Sequence, residues 1–362
     1  MVAHLAFEIV AIADDVPGEV FFAIPLAAVG FLEVVELVVE PHVIVDGGGK
    51  RHEKSEIFVN FAVDMGQKAI TLDKQVNLLR SRGMTITDED KAKEVLLDVG
   101  YFRLGFYWFP FEKSYPEKRN RTHEFATGTN FDDAVKLYYF DYKLRSILSY
   151  YINRIEINFR NFLTYTLSNN YIGNPRWFVD DSIVEEQFVQ TFDSAVYTAS
   201  FKLNAVIKRH HRTHQGDKYA PAWKTIEYMT FGSVLNLYKA IKDRSLKIEI
   251  AKHYGIRYIE ILENYLEIVR ELRNFCAHGN VLYDFVPFKY IRRGPAEVKG
   301  AKNFRNLNGS IAVVLYMLKQ VSVNRYNEMV GDLQALIKHY SQAPKVAEII
   351  SNISGLDASQ IK

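Results

Sequence analysis

From Phe131 to about Tyr171 the sequence contains neither proline nor glycine, the two residues that most readily break helices. Leu137, Leu144, Leu148, Tyr151, Ile155, Phe159 and Phe162 recur through this run at helical spacing, so it reads as one long helix with an apolar stripe. A second such run spans Tyr258 to Ala277 and is closed by Gly279, a residue suited to ending a helix. Thr71 to Val76 and Asp88 to Leu97 open with cap-like residues, and Ile311 to Val321, Tyr326 to Tyr340 and Ala343 to Ile353 show apolar stripes. The fold class that follows is mostly α, a helical bundle with additional helices.

The second run carries chemistry as well as packing. At about 100° per residue, Ile261, Tyr265, Ile268, Leu272 and Phe275 merge with Ile259, Leu262, Leu266, Val269 and Cys276 into a broad apolar arc. Glu260, Glu263, Asn264, Glu267, Glu271 and Asn274 lie opposite. Arg273 falls inside the apolar arc, beside Leu262 and Leu266, where a guanidinium is costly unless paired or facing an anion. Arg270, Asn274 and His278 follow one another along the edge of the polar side. A snorkelling arginine and a helix-terminal histidine favoured by the dipole would account for these positions without any function.

The chain has 362 residues, 48% of them hydrophobic, enough for a substantial core. Its single cysteine, Cys276, excludes an internal disulfide framework or a cysteine-based zinc site, reads as a small core residue, and fits a reducing cytoplasm. Residues 1–64 hold three basic and eleven acidic side chains, so against a whole-chain charge of +2 the remainder carries +10, a balance that favours a polyanionic partner. This first segment reads either as an acidic, partly β-forming extension or as an upstream start ahead of a protein that begins at or near Met65. Its longest uncharged run, Val20 to Leu32, is too short to span a bilayer, and no membrane partner is expected.

Between the helices, Val99 to Phe111 is dense in aromatic residues and reads as core. Glu112 to Thr129 and Lys208 to Lys218 read as loops, the second solvated and basic, with Lys208, Arg209 and Arg212 available to a phosphate backbone. His210, His211 and His214 invite a metal, but no cysteine or spaced carboxylate supports one, and neither metal nor other cofactor is expected.

Arg273-Asn274-Phe275-Cys276-Ala277-His278 is an R-N-x-x-A-H run, and it resembles the R-x(4 to 6)-H signature of the HEPN superfamily. Gly100 to Leu104 with Tyr107-Trp108, Leu137 to Arg145, Arg154 to Arg160, Pro221 to Glu227 and Thr230 to Val234 precede it. Taken in order, these blocks resemble the Abi-like (AbiD/AbiF-type) family of phage abortive-infection proteins, over roughly residues 70–285. The resemblance implies a HEPN-like helical bundle, with a core at about 131–285 inside a domain running from 65 to 362. After the motif the chain departs from the family, reading Gly279-Asn280-Val281-Leu282-Tyr283-Asp284 where a basic, Asn-containing tail is common.

What the resemblance implies chemically is a metal-independent endoribonuclease. The RNA 2′-hydroxyl is an internal nucleophile, so the protein must add proton transfer and charge stabilisation. His278 would move the proton, Arg273 would hold the anionic phosphorane, and Asn274 would orient the histidine or bond a phosphate oxygen. Arg270, Glu156 and Arg160 are supporting candidates, although Glu156 and Arg160 read equally as a surface ion pair. One motif supplies one histidine, so the resemblance also implies a homodimer across the motif helix, with Arg273 buried at the interface. An antitoxin or a phage-derived trigger is a further partner to expect. Two alternatives stay open: a non-catalytic RNA-binding or protein-interaction module of a defence or toxin-antitoxin system, and a DNA-binding regulator, for which no helix-turn-helix spacing argues.

Overall fold

The computed structural model describes the backbone of residues 38–45 and 51–58, and residues 69–359 and 361 in full. The chain divides into two units, 1–69 and 70–362. In the first, β1 (Val38–Val45) and β2 (Arg51–Phe58) form an antiparallel hairpin in which Val38 faces Phe58 and Val45 faces Arg51. The expectation of a start at or near Met65 concerns a position outside the described residues.

The second unit is helical. α1 (Leu72–Ser81), α2 (Glu89–Asp98) and α3 (Tyr101–Trp108) lead to α4 (Phe131–Asn170), then come α5 (Glu186–Ala195), α6 (Ala199–Lys202), α7 (Ala205–Thr213) and α8 (Ala222–Thr225). α9 (Phe231–Ala240), α10 (Arg244–His253), α11 (Ile259–Ala277), α12 (Leu307–Val321), α13 (Val323–Tyr340) and α14 (Pro344–Asn352) complete it. Side-chain caps set several starts: Thr71 accepts the Lys74 N–H, Asp88 the Lys91 N–H and Asn130 the Asp132 N–H. Ser322, extended at φ −163° and ψ 111°, separates α12 from α13 and caps the latter through Arg325 N–H.

α4 is the axis of this unit. It packs against α3, α9, α10, α11, α12, α13 and α14, which is why its apolar positions recur for 40 residues. Leu137, Leu144, Leu148, Ile155 and Phe159 are fully buried, each worth about 1.5–3 kcal/mol of apolar transfer. Phe159 sits among rings, with centroids at 5.5 Å from Tyr238, 6.2 Å from Tyr254 and 6.3 Å from Phe231. Within the aromatic segment the outcome is mixed: Tyr107, Trp108, Phe109 and Phe111 are core, whereas Phe102 is 82% exposed.

α11 is covered on both sides. Asn264, on its polar side, is buried because the segment after the motif folds back over it: its Nδ2 donates to the Tyr290 carbonyl at 3.0 Å and its Oδ1 accepts the Arg292 N–H at 2.7 Å. No described helix is long and apolar enough to cross a membrane.

Truncating Phe159 to alanine removes the ring that joins α4 to α9 and α10, and is expected to cost about 3–5 kcal/mol. The shift of the urea unfolding midpoint measures it.

Candidate active site

The last turn of α11 is built by backbone alone. His278 is the C-cap, its N–H donating to the Asn274 carbonyl at 2.9 Å. Gly279 follows at φ +66°, a left-handed conformation that glycine adopts without strain. Its N–H reaches Cys276 O at 3.2 Å, and the Asn280 N–H reaches back to Phe275 O at 2.9 Å. That pair of bonds is a Schellman termination. It fixes the His278 backbone while the side chain stays exposed at the helix end.

The residues that follow are gripped by side chains from α3 and α4. Arg103 donates through Nη2 to the Gly279 carbonyl, and Arg145 through Nη1 to the Asn280 carbonyl at 3.1 Å. The Leu282 N–H points between the two oxygens of Asp141, 3.0 Å from each. Asp141 is completely buried, bonded by Arg145 at 2.5 Å and by the Tyr107 hydroxyl at 3.0 Å. Burial pushes its carboxyl up to about 6, against the pull of Arg145 and the surrounding donors. Gly279 to Leu282, the stretch that departs from the family pattern, is therefore the anchor point of the motif helix. Asp141, Arg145, Arg103 and Tyr107 were not among the expected site residues. They lie inside the Gly100 to Trp108 and Leu137 to Arg145 blocks, which was the signal available.

Arg273 reaches a second charged chain. Its Nε lies 3.4 Å from Glu156 Oε2, and its side chain is 43% exposed. α4 thus supplies the paired carboxylate that a guanidinium in the apolar arc requires. Glu156 in turn accepts from Arg160 Nη2 at 2.8 Å, and the same Nη2 donates to the Met229 carbonyl at 3.1 Å. Glu156 and Arg160 are buried, so the reading of them as a surface ion pair is corrected. Arg270 is half-buried beside Gly232 of α9, and its Nε makes no hydrogen bond. Asn274 is half-buried, and its backbone carbonyl is what accepts the His278 N–H. Cys276 is core: burial pushes its thiol up to about 12 despite a hydrogen bond with Ser149, which leaves it inert at neutral pH.

Lys208, Arg209 and Arg212 are exposed, but on helix α7 rather than on the expected loop. The Asn204 cap, accepting from Val206 and Ile207, and the burial of Ile207 and His210 account for the helix. α7 packs with α6 and α8. Its histidines take separate partners: His210 bonds Asp217 at 3.1 Å and His211 the Tyr197 hydroxyl at 2.9 Å. Among the described residues no group of three His, Cys, Asp or Glu side chains is placed to hold a metal ion.

A family model described as Abi-like protein matches residues 94–284, more than half of the chain. No curated protein and no solved structure matches it. The match spans α3, α4 and α11, and with them every residue of the two charged chains described above.

Because Asp141 is the carboxylate on which Tyr107, Arg145 and the Leu282 amide converge, Asp141→Ala leaves Arg145 buried without a counter-charge. A loss of about 3–5 kcal/mol is expected. Asp141→Leu combined with Arg145→Met is expected to recover part of that loss, since the apolar pair leaves no uncompensated charge. Chemical denaturation of the two variants beside the wild type checks both statements.

Proposed function

We propose that this chain, which belongs to the Abi-like protein family and so acts in abortive infection against phage, is a metal-independent endoribonuclease. The observation that carries the reading is the last turn of α11. There a half-exposed Arg273, held by the buried carboxylate of Glu156, shares the helix end with an exposed His278 whose backbone is locked by the Schellman turn. The helix is fixed from below by Asp141 and Arg145, so the two side chains are presented on a rigid element.

In the proposed reaction the RNA 2′-oxygen attacks the adjacent phosphorus and loses its proton to a base. The P–O5′ bond breaks, and the departing oxygen takes a proton from an acid. The products are a 2′,3′-cyclic phosphate and a 5′-hydroxyl. Arg273 stabilises the negative charge that builds on the phosphorane, through a planar fork of donors that Glu156 orients. His278 serves as base or acid. The second proton-transfer group is His278 of a second copy of this chain, facing the first across the motif helix in the manner of HEPN nucleases. The positive charge of residues 65–362 supports an RNA substrate, and Lys208, Arg209 and Arg212 on α7 are proposed to meet its backbone.

Purified protein incubated with RNA in excess chelator is expected to leave 2′,3′-cyclic phosphate ends. His278→Ala is expected to lower the cleavage rate about 10²–10⁴-fold, and Arg273→Ala about 10²–10³-fold. Cleavage unchanged by both substitutions would contradict the site. RNA binding without any cleavage would favour the non-catalytic reading.

A further inference from the structure

The guanidinium of Arg270 has no role in the core that the described residues reveal. Its Nε is buried and without a hydrogen-bond partner, and it makes no ion pair among the described residues. The nearest carboxylates on α11, Glu267 one turn before and Glu271 next in sequence, are each bonded to other groups, although the charge of Arg270 opposes the upward shift that burial gives the Glu271 carboxyl. Glu267 pairs with Lys239 and, at 2.7 Å, with Lys289, while Glu271 accepts the Phe288 N–H at 3.0 and 3.1 Å. Burying part of a cation without an acceptor is costly, so a residue that contributed only packing would not need this head group.

What Arg270 faces is the start of α9. A Cβ placed on Gly232 would lie 3.7 Å from both Cδ and Nη1 of Arg270. Gly232 is the second residue of that helix, and the Thr230 cap accepts the Ser233 N–H at 3.1 Å and shares a hydroxyl–hydroxyl hydrogen bond of 2.9 Å with the same residue. The N–H groups of Phe231 and Gly232 have no partner within the helix, as at every helix start, and the dipole adds positive potential there. A second cation reaches the same turn. Arg160, only 9% exposed, donates to the Met229 carbonyl just before the cap while its Nε is left without a partner. Glu156 is the acidic group that joins Arg160 to Arg273.

We propose that Arg270, with Arg160 behind it and the free amides of Phe231 and Gly232 at the start of α9, forms an anion subsite that holds an RNA phosphate next to the one engaged by Arg273. This rests on the reading of the α11 end as an RNA site. It assigns the Thr230 to Val234 segment a binding role: the glycine keeps the space between the amides and Arg270 open for phosphate oxygens, as helix starts do in other phosphate sites. Arg270 lies one helical turn from Arg273, so the two guanidinium groups track one strand.

The test uses full-length protein and two fluorescein-labelled 12-nucleotide single strands of one sequence, one RNA and one entirely 2′-deoxy, the latter unable to be cut by 2′-hydroxyl attack. Arg270→Gln is expected to weaken binding of both about tenfold, the worth of one charge-assisted contact. It should also flatten the plot of log affinity against log salt by about 0.7, the single-strand value per phosphate contact. Gly232→Ala is expected to weaken binding similarly while its melting temperature stays at or above wild type, because alanine is the better helix former. Wild-type affinity and salt slope in both variants would overturn the subsite, even if the RNA is cleaved. Binding of the 2′-deoxy strand that depends on both residues, with no RNA cleavage by wild type, would support the subsite and remove the nuclease reading instead.

Discussion

The candidate site depends on one buried carboxylate. Asp141 lies at the centre of the helical unit with no exposure, and it collects donors from three parts of the chain: Tyr107 of α3, Arg145 of α4 and the Leu282 amide beyond α11. A charge in that position is tolerated because Arg145 pairs with it and Tyr107 and Leu282 donate to it. The consequence is geometric. The turn after the motif cannot shift without breaking bonds to Asp141, Arg145 and Arg103 together, so the C-terminal end of α11 is held in register with α4.

A second charged chain runs from the same α4 to the surface. Arg160 and Glu156 are spaced i, i+4 on one face, and Glu156 passes the connection to Arg273 at 3.4 Å. The two chains divide the work. One fixes the helix end that bears His278, and the other orients the guanidinium that would meet a phosphate. Both originate on a 40-residue helix that is the most extensively packed element of the unit, which supplies the rigidity a proton-transfer site needs.

The helices themselves were legible in the sequence, because long runs without proline or glycine and with a 3.6-residue apolar period leave little else to form. α4 and α11 fall within a residue of the expected bounds. The motif was legible through the order of its residues. The support beneath it was not, for a physical reason: Asp141 with Arg145 and Glu156 with Arg160 are i, i+4 charge pairs, which in sequence look the same whether they lie in water or in the core. Only the burial imposed by α3, α9 and α11 distinguishes them. The basic segment around Lys208 was misjudged for a related reason, since its helix is secured by the Asn204 cap and two buried side chains within a mostly polar run. The Arg270 and Gly232 pairing joins residues 38 positions apart, beyond the reach of any local pattern.

As proposed, Arg273 and the exposed His278 would supply half of a cleavage site, and the other half would come from a second copy. Sedimentation velocity run beside RNA cleavage over a range of protein concentrations tests this most directly. Specific activity is expected to rise in step with the dimer population and to be lost when the protein is diluted to monomer. Full cleavage activity in a species of monomer mass would contradict it.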